Sequence, residues 1–306
     1  PPARDEIDMG TTRPTPADAA AARKVFSRIS AFFREKYHPI GADVFDYLTQ
    51  HISSGTISNG YIYTLSNFRW ICVNGKKTKN SEAVSSAIHV NPDGALGVWF
   101  REMPIYNERG VVSPEAAGSL GFYALTPREC PNGKLPDSSK GHFIVQGINE
   151  SYVWITYPGK LPYRYVTRKE FLEKQIALLE AQRKERKPGD PQEFLSTFFE
   201  KPLEAYRNDL KKDTAWLNEI AIVKPEVIKD FSSTRYLYSR YGFTTLTDPV
   251  MSVPILPNPA YYNRNLPKSS PQLMIIRTGR TDNFIGQNFR KIVEENLEFF
   301  KGLLGS

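Results

Sequence analysis

The chain has 306 residues, enough to bury a substantial core without disulfide staples. Forty Lys and Arg against 33 Asp and Glu give a net charge of +7 and a pI near 9.2, which favours anionic partners such as nucleic acid, acidic glycans or lipid headgroups. No apolar run approaches the roughly 18 residues that a membrane-spanning helix needs, so a soluble protein is expected and any membrane contact would be made from the surface.

The first residues, through Gly10-Thr11-Thr12-Arg13-Pro14, lack apolar periodicity, and 1–14 read as a mobile arm. The opening Pro1-Pro2-Ala3-Arg4, without Met, fits a processed export product or a trimmed chain. Thr15-Pro16 then supplies a cap with proline at the first helical position. Val25, Phe26, Ile29, Phe32 and Phe33 recur at helical spacing. His38-Pro39-Ile40-Gly41 should end that helix.

From about Gly60 to Val166 the pattern changes to short β-branched and aromatic runs. Strands are expected at Tyr61–Leu65, Phe68–Val73, Gly97–Phe100, Gly121–Leu125, Phe143–Gln146 and Tyr152–Tyr157. Asn74-Gly75, Pro92-Asp93-Gly94, Asn132-Gly133 and Pro158-Gly159 punctuate them as turns, which implies an antiparallel, hairpin-rich sheet.

Thr167-Arg168-Lys169-Glu170 is a capping box, and Val166 with Phe171 completes a hydrophobic staple. Phe171, Leu172, Gln175, Ile176 and Leu179 make one stripe. After Lys187-Pro188-Gly189, Asp190-Pro191-Gln192-Glu193 signals another start. Leu195, Phe199, Leu203, Tyr206, Leu210 and Leu217 continue a helical face, with Pro202 as a kink or boundary. Strands are expected again at Tyr241–Leu246 and Gln272–Arg277, separated by a long stiff loop with prolines at 249, 254, 257, 259, 267 and 271. From Asn283, Phe284, Phe289, Ile292, Val293, Leu297 and Phe300 predict a terminal helix. The fold class is therefore α+β, an antiparallel sheet packed with N-terminal, two central and C-terminal helices. Residues 15–306 read as one compact unit, with 183–191 as a candidate internal boundary.

Leu161-Pro162-Tyr163-Arg164-Tyr165-Val166-Thr167-Arg168-Lys169-Glu170-Phe171-Leu172 and the stretch from Pro257 to Lys268 resemble a loose group of uncharacterised exported bacterial proteins. The resemblance covers about a tenth of the chain. It implies an extracytoplasmic location, periplasmic or secreted, and no reaction.

Chemical signatures are sparse. His38, His51, His89 and His142 form no metal-binding spacing, and Cys72 and Cys130 form no C-x-x-C motif, so no metal is expected. The two cysteines could pair in an oxidising compartment, or each could serve as a small buried apolar side chain. Ser53-Ser54-Gly55 and Gly118-Ser119-Leu120-Gly121 lack the nucleophile-elbow pattern, and phosphate-cradling glycine loops are absent, so no nucleotide cofactor is expected. Glu102, Glu108, Glu115 and Glu150 lie near strand ends as unsupported acid–base candidates.

The aromatic cluster Tyr152, Trp154, Tyr157, Tyr163 and Tyr165 is the candidate binding surface if exposed, and core if covered by the helix that begins at Thr167. Tyr236, Tyr238 and Tyr241 beside Arg235 and Arg240 invite the same two readings. The sequence therefore points to an exported binding or interaction protein whose partner is a protein or glycan of the cell envelope, rather than to an enzyme or a nucleic-acid binder. The alternative is a secreted hydrolase acting on glycans or peptides with dispersed acid and base residues.

Overall fold

The computed structural model describes residues 5–7, 15–39, 41–50, 60–92, 100–103, 105–107, 110–112, 121–146, 150–185, 196–229, 237–280 and 284–306. The chain starts with β1 (Asp5–Ile7), α1 (Pro16–Lys36), β2 (Ala42–Gln50), β3 (Tyr61–Val73) and β4 (Lys76–Val90). Next come β5 (Arg101–Glu102), β6 (Ile105–Asn107), β7 (Gly110–Val112), β8 (Tyr123–Leu125), β9 (His142–Gln146), β10 (Glu150–Ile155) and β11 (Tyr163–Tyr165). The helices α2 (Arg168–Glu185), α3 (Ser196–Asp209) and α4 (Thr214–Asn218) precede β12 (Val223–Lys229), β13 (Leu237–Phe243) and β14 (Val253–Pro257). β15 (Met274–Arg280), α5 (Phe284–Glu295) and α6 (Leu297–Lys301) complete it. Helices and largely antiparallel sheets make this an α+β protein. No described helix is long and apolar enough to cross a membrane.

Two compact units emerge. The first comprises 1–95, 136–162 and 258–306; the second comprises 96–135 and 163–257. Of the candidate boundary 183–191, residues 186–191 lie outside the described residues, as do the turn and cap signals at 187–193 and all of the arm except β1.

The first unit holds a seven-stranded sheet in the order β1-β2-β3-β4-β15-β10-β9, antiparallel throughout except for the β1–β2 pair. Alternation turns Tyr61, Tyr63 and Leu65 of β3, Ile88 and Val90 of β4, Met274 and Ile276 of β15, and Val153 and Ile155 of β10 to one face. The apolar stripes of α1 and α5 cover that face: Val25, Phe26, Ile29 and Phe33 from one, Ile285, Phe289 and Val293 from the other. Phe33 stacks on Tyr63 (centroids 5.8 Å apart) and on Phe289 (5.1 Å), joining both helices to the sheet. The start of α1 is as the sequence predicts: the Asp18 amide donates to Thr15 Oγ1 (3.1 Å), and the Thr15 amide donates back to Asp18 Oδ2 (3.3 Å).

The second unit contains a four-stranded sheet, β11-β14-β8-β5, and the hairpins β12–β13 and β6–β7. The capping box at α2 forms, with the Glu170 amide donating to Thr167 Oγ1 (3.2 Å) and the Thr167 amide to Glu170 Oε2 (3.0 Å). Val166 and Phe171 share one buried cluster, as the staple requires. Leu172 and Leu179 of α2 pack with Leu203 and Tyr206 of α3.

Three expectations need correction. α3 runs through Pro202 without a boundary and stops at Asp209; Leu217 belongs to a separate helix, because the Asp213 side chain accepts the Trp216 amide (2.9 Å) and starts a new one. The long proline loop contains β14, where Val253 and Ile255 are fully buried and the fixed φ of Pro254 suits extended backbone. Phe68–Val73 and Tyr61–Leu65 are one continuous strand, and its partner β4 was not anticipated.

Two tests follow from this packing. Phe289→Ala should lower the unfolding free energy by about 3–5 kcal/mol, measured by denaturant titration, because it opens the stack that joins α1 to α5. In the second unit, Asp248 accepts from Lys224 Nζ (2.9 Å), the Val250 amide (3.0 Å) and Thr244 Oγ1 (2.8 Å). These bonds, that of Lys224 first, hold its carboxyl at about 2 against an ordinary 3.8. A depressed carboxyl stabilises the fold above pH 3.8 and loses that contribution as the pH falls through about 2. The stability difference between the native chain and Asp248→Asn should therefore shrink across that window in an acid titration.

A candidate binding cleft between the first helix and the sheet

A cleft opens beside the C-terminal end of α1, against β2 and β3. Tyr37 is the C-cap, its amide donating to the Phe33 carbonyl (2.8 Å). His38 Nε2 lies 2.9 Å from the Glu35 carbonyl and satisfies another of the helix's last acceptors. Pro39 then prevents continuation, and Gly41 turns the chain at φ +75° into β2.

Along β2, Ala42, Val44, Asp46 and Leu48 point alternately with Asp43, Phe45 and Tyr47. The first set faces α1; Phe45 instead meets Phe68 edge-on (5.5 Å) beneath Lys79. Antiparallel register sets Asp46 opposite Leu65 and Val44 opposite Asn67. The resulting cleft, about 620 Å³, has Val44, Asp46, Tyr63 and Leu65 for a floor and Phe33, Arg34 and Tyr37 for a wall. That volume is within the range of small-ligand sites, roughly 300–1,000 Å³.

Its polar content converges on Asp46. Ser30 and Arg34 sit one turn apart on α1, so both reach the carboxylate: Ser30 Oγ donates to Oδ2, and Arg34 approaches Oδ1 at 3.5 Å. Tyr63 adds its hydroxyl at 3.5 Å from Oδ2. Burial, reinforced by the Asp46 charge, pushes the Tyr63 phenol far above its ordinary pKa, so it stays a neutral donor. Tyr37 is also raised by burial, in part offset by its hydrogen bond to Asn67 Oδ1 (2.8 Å). The site is an apolar, aromatic-walled recess with one carboxylate and one half-free guanidinium side by side.

The residues that the sequence singled out lie elsewhere. Trp154 is 1% exposed and stacked on Phe143 (5.4 Å), on the sheet face opposite the helices; Tyr152 shares that face, half-buried, and donates to Glu150 Oε2 (2.7 Å). β10 ends at Ile155, so Tyr157 lies beyond the strand, where its amide donates to the Tyr261 hydroxyl (3.3 Å). In the second unit Tyr163 is buried and Tyr165 half-buried, their rings in an edge contact at 5.8 Å. Tyr241 is buried, with its amide bonded to Tyr206 (2.8 Å), and Arg240 pairs with Glu226; Tyr236 and Arg235 lie outside the described residues, as does the Tyr238 side chain.

Of the acid–base candidates, Glu150 is clasped by Arg277. Burial pushes its carboxyl up, but the Arg277 and Tyr152 hydrogen bonds outweigh that and hold it below the usual range. His142 Nδ1 lies 3.3 Å from the Lys140 carbonyl, and His89 is half-buried on β4. His51, Ser53, Ser54, Gly118, Ser119, Glu108, Glu115 and the Glu102 side chain lie outside the described residues. Among the described residues no group of three or more His, Cys, Asp or Glu could hold a metal ion.

Sequence reasoning singled out no function for Arg34, Asp46 or Tyr63. The available signal was Asp46 itself, a charge at an inward position of an alternating run, opposite a helix that breaks its apolar stripe with Ser30 and Arg34. Comparison with protein-family models, curated proteins and solved structures finds no match to this chain.

Both thiols are free, Cys72 exposed and Cys130 buried. Burial, with the Glu129 charge adding, pushes the Cys130 thiol up to about 12. A colorimetric disulfide reagent should therefore titrate one thiol in the folded protein and the second only after denaturation.

Proposed function

We propose that the protein is a binding or interaction protein, and that its cleft receives an apolar side chain and the adjoining polar backbone of a peptide segment from a partner protein. The observation that supports this most is the pairing of an aromatic recess, formed by Phe33, Tyr37 and Tyr63, with Asp46 and Arg34 as a neighbouring acceptor and donor. An apolar group gains from the recess, and a peptide group needs both a donor and an acceptor beside it. The resemblance of residues 161–172 and 257–268 to exported proteins supports reading this partner as a component of the cell envelope.

A peptide is favoured over a glycan because a sugar calls for flat rings open to solvent, whereas Trp154 and Tyr163 are each 1% exposed. Binding is favoured over hydrolysis because Asp46 is the one carboxylate among the described lining residues, its oxygens already accept from Ser30, Arg34 and Tyr63, and the lining imidazole, His38, has its Nε2 2.9 Å from the Glu35 carbonyl. Acid–base chemistry needs two groups with separate tasks at the reacting bond.

The test is thermal unfolding with the tripeptides Ala-Phe-Ala, Ala-Leu-Ala and Ala-Ser-Ala. The first two should raise the melting temperature and the third should not, since a ligand that binds the folded state alone stabilises it. Val44→Phe, which fills the floor, and Asp46→Asn should each abolish the shift. Equal shifts from all three peptides, or a shift that survives Val44→Phe, would contradict the proposal.

A further inference from the structure

The far end of the β3–β4 hairpin leaves the sheet. β2 pairs with β3 only as far as Ala42 against Arg69, and β15 pairs with β4 only over Ala87–Val90. Beyond Trp70, whose amide still donates to Gly41, residues 71–79 form a two-stranded ribbon flanked by no third strand among the described residues. The ladder shifts register between Phe68 and Trp70, where the ribbon departs, as a bulge that bends a strand would do. Asn74 (φ 51°) and Gly75 (φ 74°) close it with two consecutive positive φ values, the pattern of a type I′ turn.

A lone ribbon has little stability of its own in water, yet this one exposes aliphatic side chains. Ile71 is 40% exposed and Val73 44%. Alternation and register put them on one face, opposite Thr78 and Lys76; Trp70 and Cys72 share the other with Lys79 and Lys77. Between residues 69 and 80 stand Arg69, Lys76, Lys77 and Lys79 with no acidic residue. Lys79 pairs with Asp43 at 3.3 Å, while Arg69, Lys76 and Lys77 are exposed.

We propose that this ribbon docks the protein on a bilayer surface that carries anionic headgroups. Ile71 and Val73 enter the boundary between headgroups and acyl chains, and Arg69, Lys76 and Lys77 meet the phosphates. The ribbon's reach beyond Trp70 is on the order of 12 Å at about 3.3 Å per residue, comparable with the roughly 5–10 Å to which interfacial segments sink. The long lysine chains extend back to the headgroup level as the aliphatics go in. A nucleic acid would satisfy the charge but not the aliphatic groups. The ring it would stack on, Trp70, already has Lys77 Nζ 4.5 Å from its centroid. This inference is independent of the cleft.

The test is flotation of the intact protein with vesicles of phosphatidylcholine alone and with about a quarter phosphatidylglycerol, at rising salt. Binding should require the anionic lipid and weaken with salt. Lys76→Gln with Lys77→Gln should lower the partition coefficient about 25-fold, near fivefold per charge. Ile71→Ser with Val73→Ser should lower it at least about tenfold at unchanged charge. An environment-sensitive dye on the exposed Cys72 should shift to the blue with the anionic vesicles. All these side chains are exposed, and unchanged circular dichroism and melting temperature will confirm the fold of each variant. The proposal is overturned by an absence of vesicle binding, by vesicle binding that both double variants retain, or by tighter binding of a single-stranded oligonucleotide that depends on the same lysines.

Discussion

The stack of Phe33 between Tyr63 and Phe289 governs the first unit. These three rings come from the first helix, the longest-paired strand and the last long helix, and they are buried together at 5.1 and 5.8 Å separations. Aromatic packing of this kind holds elements far apart in sequence at a fixed distance and orientation. Just past the stack, Tyr37 packs edge-on against Phe289 (5.8 Å) and donates to Asn67 on β3 (2.8 Å), while the exposed Arg34 reaches Asp46 on β2. The cleft lies beside these rings, lined by Phe33, Arg34 and Tyr37 from the helix end and by Val44, Asp46, Tyr63 and Leu65 from the sheet.

Burial of Asp46 is the second constraint. Its side chain is 12% exposed, and a carboxylate so placed needs donors to offset lost hydration. Ser30, Tyr63 and Arg34 provide them from two elements, so the helix and the sheet are joined by a polar contact as well as by the rings. A ligand group that replaced the solvent-exposed Arg34 contact would disturb neither Ser30 nor Tyr63. The cleft can thus change its polar partner without unpacking the core.

Much of the architecture was legible in the sequence because its signals were local. The Thr15 and Thr167 caps, the Val166–Phe171 staple and the Asn74-Gly75 turn each lie within a few residues and form as read, whereas the expected terminal helix is two, α5 and α6, with Phe284 exposed and Phe289, Val293 and Phe300 buried. β4 was missed because Lys76, Lys77 and Lys79 and the run of Ser and Asn near them carry little β signal; pairing with β3 imposes the strand. β14 was hidden by its prolines. The cleft was not legible because Arg34, Asp46 and Tyr63 come from three elements, and strand register brings them together. The aromatic cluster drew attention by composition, but burial is a tertiary property: Trp154 and Tyr163 are core residues, and they belong to different units.

The cleft is the centre of this account, and hydrogen–deuterium exchange with and without Ala-Phe-Ala tests it most directly. Bound peptide should slow exchange at the amides of the last turn of α1, Arg34 to Tyr37, and of Ala42 to Asp46 on β2. Exchange along β10 should be unaffected. Protection that instead appeared on Glu150 to Ile155, or no protection at all at saturating peptide, would contradict the account.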